Sequence, residues 1–367
     1  MQILCFGKIK KNILTSAISP SILSFFIVSL IILTLSAKSF AGGPDGTVNN
    51  FINQNPFAFS MHKPNTFVSF NALQYQGFNQ VYNNNGELIS KPAQQQILFI
   101  PAFVWTYRFL RKVNFCEVAF PVGRQTVQGG TPPAMSKDGY KLTNGGTGNP
   151  VIFYGIEVWH QNIGKFKYNF MPMLVTVIPN NWNSSSVNNI GSGEFNFELA
   201  LTGGLGYTFN NKFRLALDYA VGESYNLGHD SINYAAATLA APAASDPNLT
   251  VSPTGTGSYT NPGNNFIANT YLRFILFKKL EIFNETVFEN QSANYGWFNT
   301  DTLGASSAAS LKYGYLNSGY QALMTGFGVS YRLSRIIADA RVLKTLHAKN
   351  GPDLTMGLLS VTIPFNF

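Results

Sequence analysis

Along most of the chain apolar and polar residues alternate with a period of two, and the alternating segments are set apart by polar stretches rich in Gly, Asn, Ser, Thr and Pro. A period of two marks a β-strand whose two faces meet different surroundings. Twelve such segments can be drawn: 65–76, 94–110, 113–128, 149–161, 165–179, 193–209, 213–226, 265–277, 280–293, 320–333, 336–348 and 353–367. In the sixth, Phe195, Phe197, Leu199, Leu201, Leu205, Tyr207 and Phe209 share one face, and Glu194, Asn196, Glu198, Thr202 and Thr208 share the other. The seventh sets Phe213, Leu215, Leu217, Tyr219 and Val221 against Arg214, Ala216, Asp218 and Ser224. The ninth sets Leu280, Ile282 and Phe288 against Glu281, Glu285 and Glu289. Charge is confined to one face in all three.

The connections alternate in length along almost the whole chain. Short ones fall at Arg111-Lys112, Asn162-Ile163-Gly164, Asn210-Asn211-Lys212, Lys278-Lys279 and Ser334-Arg335, and long ones at 129–148, 180–192, 228–264 and 294–319. Segment 349–352 is the one short exception among the long ones. Short periplasmic turns opposite long extracellular loops are the asymmetry of an outer-membrane barrel. The expected fold is therefore all-β, a transmembrane antiparallel β-barrel of about twelve strands, closed because an open edge in hydrocarbon would strand unpaired backbone groups. With an even strand number both termini lie in the periplasm.

Turn length checks the faces, since residues paired across a two-residue turn have opposite parity and across a three-residue turn the same parity. The Arg111-Lys112 turn pairs Arg108 with Phe115 and puts Glu117 on the face of Arg108. Ser334-Arg335 puts Arg332 on the face of Asp339 and Arg341, and the turn at 210–212 keeps Phe209 and Phe213 together on the apolar side. A two-residue turn at Lys278-Lys279 would put Arg273 on the face of Leu280 and Ile282. Arg273 stays unassigned: either that turn has another length or Arg273 lies near the rim.

Composition agrees with a barrel. Charged residues make up 11% and aromatic residues 14%, and mean hydropathy is +0.03. The one long apolar stretch, 22–35, follows Lys8, Lys10 and Lys11 and ends near Ser39-Phe40-Ala41. That reads as a signal peptide, 1–41, cleaved after Ala41; the alternative is an uncleaved anchor. Its removal takes four of the 25 Lys and Arg and none of the 17 acids, leaving a net charge of +4 without a clustered basic face, so no nucleic-acid partner is expected. Cys116 is then the single cysteine, which excludes an intramolecular disulfide. Residues 42–64 form a polar N-terminal segment with Phe51, Phe57 and Phe59 in it, read as a lumen plug or as a periplasmic lead-in, and 65–367 form the barrel.

The lumen is expected to carry Arg108, Glu117, Glu157, Lys165, Lys167, Glu194, Glu198, Arg214, Asp218, Glu281, Glu285, Glu289, Arg332, Asp339 and Arg341. Their mixed signs argue against strong ion selectivity. They form either a polar conduit or a network of ion pairs that fills the interior. Leu359, Val361, Ile363, Phe365 and Phe367 place five apolar residues on one face of the closing strand. Ile363, Phe365 and Phe367 are read as the signal for the barrel-assembly machinery as well as a lipid-facing edge. His62, His160, His229 and His347 lack metal-ligand spacing, and Gly191-Ser192-Gly193 lacks the residues of a nucleophile elbow. No catalysis, metal or cofactor is expected.

The run QQQILFIPAFVWTYRFLRKVNFCEVAFPVGRQTV, 94–127, resembles the outer-membrane family labelled for the meta-pathway of phenol degradation. The likeness continues through NPVIFYGIEVWHQNIGKFKYNFMPML, LALTGGLGYTFNNKFRLALDYAVG and GFGVSYRLSRIIADARVLKTL to the closing VTIPFNF. The long Ala/Pro/Ser/Thr-rich segment 228–264 departs from many members. The resemblance implies an architecture related to transporters of long-chain fatty acids and aromatic hydrocarbons, hence uptake of small hydrophobic compounds. Its expected surroundings are outer-membrane lipid and lipopolysaccharide, and Trp297, Phe298, Tyr313 and Tyr315 are candidate lining of an apolar entrance or markers of the membrane interface. The competing classes are a filled structural or adhesive surface barrel and a general porin.

Overall fold

Every one of the twelve alternating segments forms a strand in the computed structural model, which describes residues 65–82, 85–129, 140–179, 195–226, 229–230, 259–261, 264–291, 295–297, 320–349 and 351–366. The barrel strands are β1 (Thr66–Tyr82), β2 (Leu88–Phe109), β3 (Lys112–Ala119, resuming as Val122–Gly129) and β4 (Tyr140–Thr147, Val151–Glu157 and Trp159–Ile163). They continue with β5 (Phe166–Val177), β6 (Asn196–Thr208), β7 (Phe213–Asn226) and β8 (Asn265–Leu276). The last four are β9 (Leu280–Gln291), β10 (Tyr320–Leu333), β11 (Ile336–Lys349) and β12 (Thr355–Asn366). Each pairs antiparallel with the next. The register from Thr66↔Asn366 to Gly77↔Thr355 joins β12 to β1 and closes the barrel. Three short segments, His229–Asp230, Tyr259–Asn261 and Tyr295–Trp297, pair in a separate small sheet.

The faces follow the alternation. On β6, Asn196, Glu198, Ala200 and Thr202 are buried while Leu199 and Leu205 are exposed. On β9, Glu281, Glu285 and Glu289 are buried and Ile282 and Phe288 are exposed. Around the outside, Phe103, Trp105, Leu217, Phe274, Phe327, Val342 and Leu359 all show large exposed surfaces. In a chain surrounded by water such a belt would be a severe liability; around a closed barrel it is the lipid-facing band.

Three turns sit differently from their expected places. The first falls at Leu110-Arg111, both with positive φ (50° and 64°), so Arg108 pairs with Val113 and not Phe115. The length is still two residues, so Glu117 keeps the face of Arg108. The connection at 162–164 is in fact the two-residue turn Gly164-Lys165, because Ile163 pairs with Phe166. The one at Lys278-Lys279 has three residues: Leu276 pairs with Leu280, and Phe277 and Lys278 take positive φ. Odd length preserves parity, which puts Arg273 opposite Phe283 on the inner face. At 210–212 the Asn210 side chain accepts from the Lys212 and Phe213 amides at 2.8 and 2.9 Å, an Asx turn that fixes the expected three-residue connection and stacks Phe209 on Phe213.

Two strands are interrupted where prolines remove ladder donors: β3 at Phe120-Pro121 and β4 at 148–150. β4 is broken again at Val158, where the pairing with β5 slips by one residue between Gly155↔Met173 and Trp159↔Phe170. This bulge turns both Glu157 and His160 inward, although three residues apart they would otherwise lie on opposite faces. The strands also run beyond the expected bounds. β1 and β2 continue pairing to Tyr82↔Leu88, and β4 begins at Tyr140 rather than 149.

Candidate functional site

The inner face of the barrel is the candidate site, and it divides into sectors of different chemistry. On β1 to β5 the inward residues are largely apolar: Val68, Phe70, Ile100, Val104, Phe115, Phe153, Met171 and Val175 belong to one buried cluster. On β7 to β11 ionic residues are interleaved with apolar ones such as Ile267, Phe283, Val287, Met324 and Leu343. Nearer the long-loop end of β1 to β3, Gln74, Gln76, Gln96 and Gln125 form a chain of side-chain amide bonds, Gln74 Nε2 to Gln76 Oε1 at 3.2 Å and Gln96 Nε2 to Gln125 Oε1 at 3.2 Å, linked by Gln76 to Gln96.

Two arginines organise the ionic sector. Arg273 donates from Nη2 to Glu281 Oε2 at 2.8 Å and from Nε at 3.2 Å, and its Nη1 bonds Asp218 on the strand to its other side. Arg341 donates to Glu285 Oε2 at 2.9 Å and to the Tyr271 hydroxyl at 2.8 Å. That hydroxyl donates in turn to Glu285 Oε1 at 2.8 Å, and Asn269 donates to the same carboxylate at 3.2 Å. Ser330 bonds Asp339 at 2.7 Å. Buried charges persist where each has an oppositely charged or hydrogen-bonding partner, as these do. Small residues provide the room: a side chain at Gly204 would collide with Asp218, and one at Gly206 with the Arg214 guanidinium.

Of the residues singled out by the alternation, Glu117, Glu157, Asp218, Glu281, Glu285, Asp339 and Arg341 are inward and buried, and Arg214 is inward and half-buried. Arg108 and Arg332 have inward parity but are exposed, at the short-turn mouth, as is Lys167; Lys165 lies in a turn. Glu157 meets His160 Nδ1 at 3.0 Å near the same mouth. Glu198 and Glu289 are inward and buried, at 3% and 0% exposure. Ile363 is half-buried and Phe365 exposed on the outer face. Glu194, Phe367, the 1–41 and 42–64 segments, Phe298, Tyr313 and Tyr315 lie outside the described residues, as does the side chain of Trp297.

The residues that sequence reasoning missed are Arg273, Tyr271, Asn269 and the glutamine chain. Arg273 was hidden by one residue of turn length. Tyr271 and Asn269 share its parity and follow once that length is known. Gln94-Gln95-Gln96 is visible as a polar run, but which of the three points inward depends on register.

A closed twelve-stranded barrel with an apolar outer belt and a structured inner face is an outer-membrane β-barrel, located in the bacterial outer membrane. No family model and no curated protein matches the chain. Among solved structures the chain is similar to the COG4313 outer membrane channel from Pseudomonas putida F1, with 12% identity, a TM-score of 0.64, and coverage of 85% of this chain and 99% of that one. The translocator domain of the autotransporter NalP from Neisseria meningitidis follows at a TM-score of 0.39, 10% identity, and 84% and 91% coverage. The COG4313 likeness is one of fold, at an identity too low to carry residue roles.

Proposed function

We propose that the protein is an outer-membrane channel that admits small hydrophobic or aromatic compounds. The observation that carries this reading is the apolar inner sector of Val68, Phe70, Val104, Phe115, Phe153 and Met171. A porin for hydrophilic solutes lines its water-filled lumen with polar groups, because apolar wall raises the cost of a hydrated solute's passage. A wall whose inward side chains are apolar instead favours a hydrophobic solute, which gains free energy by leaving water for contact with them. The resemblance to the family labelled for the meta-pathway of phenol degradation points the same way, and the fold likeness to a solved outer-membrane channel is compatible with it.

Cells lacking the protein should take up a limiting hydrophobic aromatic compound more slowly, with rescue by the wild-type gene. Replacing Phe115 and Phe153 by Ser at equal surface expression should weaken that rescue. Equal uptake with and without the protein, across aromatic and fatty-acid substrates, would sink the reading. A filled structural barrel is the second reading, favoured by the closed ion networks of Arg273 and Arg341 and the near-complete burial of the inner side chains. Single-channel recording separates it from a porin: steady large conductance marks a porin, and neither conductance nor uptake marks a filled barrel.

A further inference from the structure

The fully buried charges of the inner wall are mostly acidic. Among the described residues eight carboxylates are buried there with two guanidinium groups, Arg273 and Arg341, while Arg214 is half-buried and Arg108, Arg332 and Lys167 lie at the short-turn mouth. Most of these acids are accounted for by Arg273, Arg341, His160 and Ser330. Glu117 and Glu198 are different. They are 5% and 3% exposed, both point inward, and neither has a hydrogen-bond or ion-pair partner among the described residues. Among the described residues nothing donates to Glu198 Oε1, which is sealed from solvent. A carboxylate removed from water costs several kcal/mol unless a cation or a set of donors meets it, so evolution of a stable wall alone gives no reason to place one there.

Their placement is regular. Glu117 pairs with Phe153, Phe153 with Val175, and Val175 with Glu198, so the two carboxylates close the ends of one row across four strands. Three strand spacings put them about 14 Å apart along the wall. Because β3 rises from its turn and β6 descends to its own, Glu198 sits towards the long-loop end and Glu117 towards the short-turn end. Between them lie Phe153, Val175 and the Met171 and Met173 side chains, all apolar.

An apolar row with an unpartnered carboxylate at each end, Glu198 having Glu289 as a further acidic neighbour, matches one kind of molecule: an apolar body with a cationic head. We propose that Glu198 and Glu117 are successive stations for the ammonium group of an amphiphilic amine, received near the outer end and passed toward the periplasmic end while its apolar part stays on Phe153, Val175 and Met171. The inference rests on the hydrophobic-uptake reading and narrows its substrate class. Of hydrophobic compounds, those carrying an amine or quaternary ammonium are favoured over neutral and anionic ones of equal size, because only they neutralise the buried charge.

The test uses the full-length protein in nanodiscs, with empty nanodiscs as the blank, and equilibrium dialysis of octylammonium, 1-octanol and octanoate. The expected result is binding of octylammonium at least about tenfold tighter than octanol, with octanoate weakest. Glu198→Gln should bring octylammonium close to octanol and leave octanol unchanged; Glu117→Gln should do the same to a lesser degree. Glutamine keeps the shape and removes a buried charge, so both variants should fold, as checked by heat-modifiable migration. Equal binding of all three probes overturns this inference and leaves hydrophobic uptake standing; binding of none overturns both. Tetramethylammonium binding as tightly as octylammonium would make the site one for small cations and overturn the proposal, as would an undiminished amine preference in the double variant.

Discussion

Arg273 and Glu281 stand diagonally across the β8–β9 pair, and the guanidinium reaches over one rung to grip the carboxylate with Nη2 at 2.8 Å and Nε at 3.2 Å. The same guanidinium holds Asp218 on β7, so one buried cation ties three consecutive strands together. Removing one partner of such a group leaves the others charged and unpaired in a place water does not reach.

Arg273→Met should therefore be among the most destabilising single changes in the barrel, by about 3–5 kcal/mol. Urea unfolding of the detergent-folded protein would read this as a lowered midpoint. Adding Asp218→Asn and Glu281→Gln should recover most of the loss, since the uncompensated charges go with it. A single variant as stable as wild type would show that the network is open to water.

Tyr271→Phe tests the second network. The hydroxyl accepts from Arg341 and Asn269 and donates to Glu285. Its loss should cost roughly 1–3 kcal/mol, the range for leaving buried partners short of a bond. Arg341→Met should cost more, because it leaves Glu285 without its cation. The same urea midpoints rank the two, and the reverse order would count against the assignment.

Phe365 and Ile363 present the outer face of the closing strand, which seals the barrel against β1 through Phe67↔Phe365 and Ser69↔Ile363. Phe365 also meets Phe67 ring to ring at 6.1 Å. Phe365→Ala, or deletion of Phe367, should lower the amount of heat-modifiable barrel in the outer membrane. Unchanged folded protein at normal expression would leave these residues with a lipid-facing role only.

The asymmetry of the connections predicts what each rim meets. An epitope placed near Ala243, in the connection from β7 to β8, should be labelled on intact cells. One placed after Asn210, inside the Asx turn, should be reached only after the outer membrane is opened. The opposite pattern would invert the barrel.

All twelve strands were legible from alternation because lipid enforces it: an outward charge costs about 2–4 kcal/mol at the membrane midplane, so apolar and polar residues must take turns. The same reason explains where the reading stopped. The far ends of β1, β2 and β4, in the runs 79–82, 88–96 and 140–147, mix polar residues, Gly and Pro with scattered apolar ones, and without a regular alternation there is no period to read. The inward parity of Glu117, Asp218, Glu281, Glu285, Asp339 and Arg341 was likewise fixed by sequence. What they do inside was not. Which acid Arg273 takes depends on a third residue in the turn at 277–279, and the pairing of His160 with Glu157 depends on a bulge at Val158. Alternation alone says that the interior holds charge; only closure of the sheet brings Tyr271 and Arg341 together, 70 residues apart in the chain, and puts Glu117 and Glu198 on one apolar row with no bonded partner among the described residues. Alternation is a local property of each strand, and partnership across a barrel is set by register, turn length and closure, which no single strand encodes.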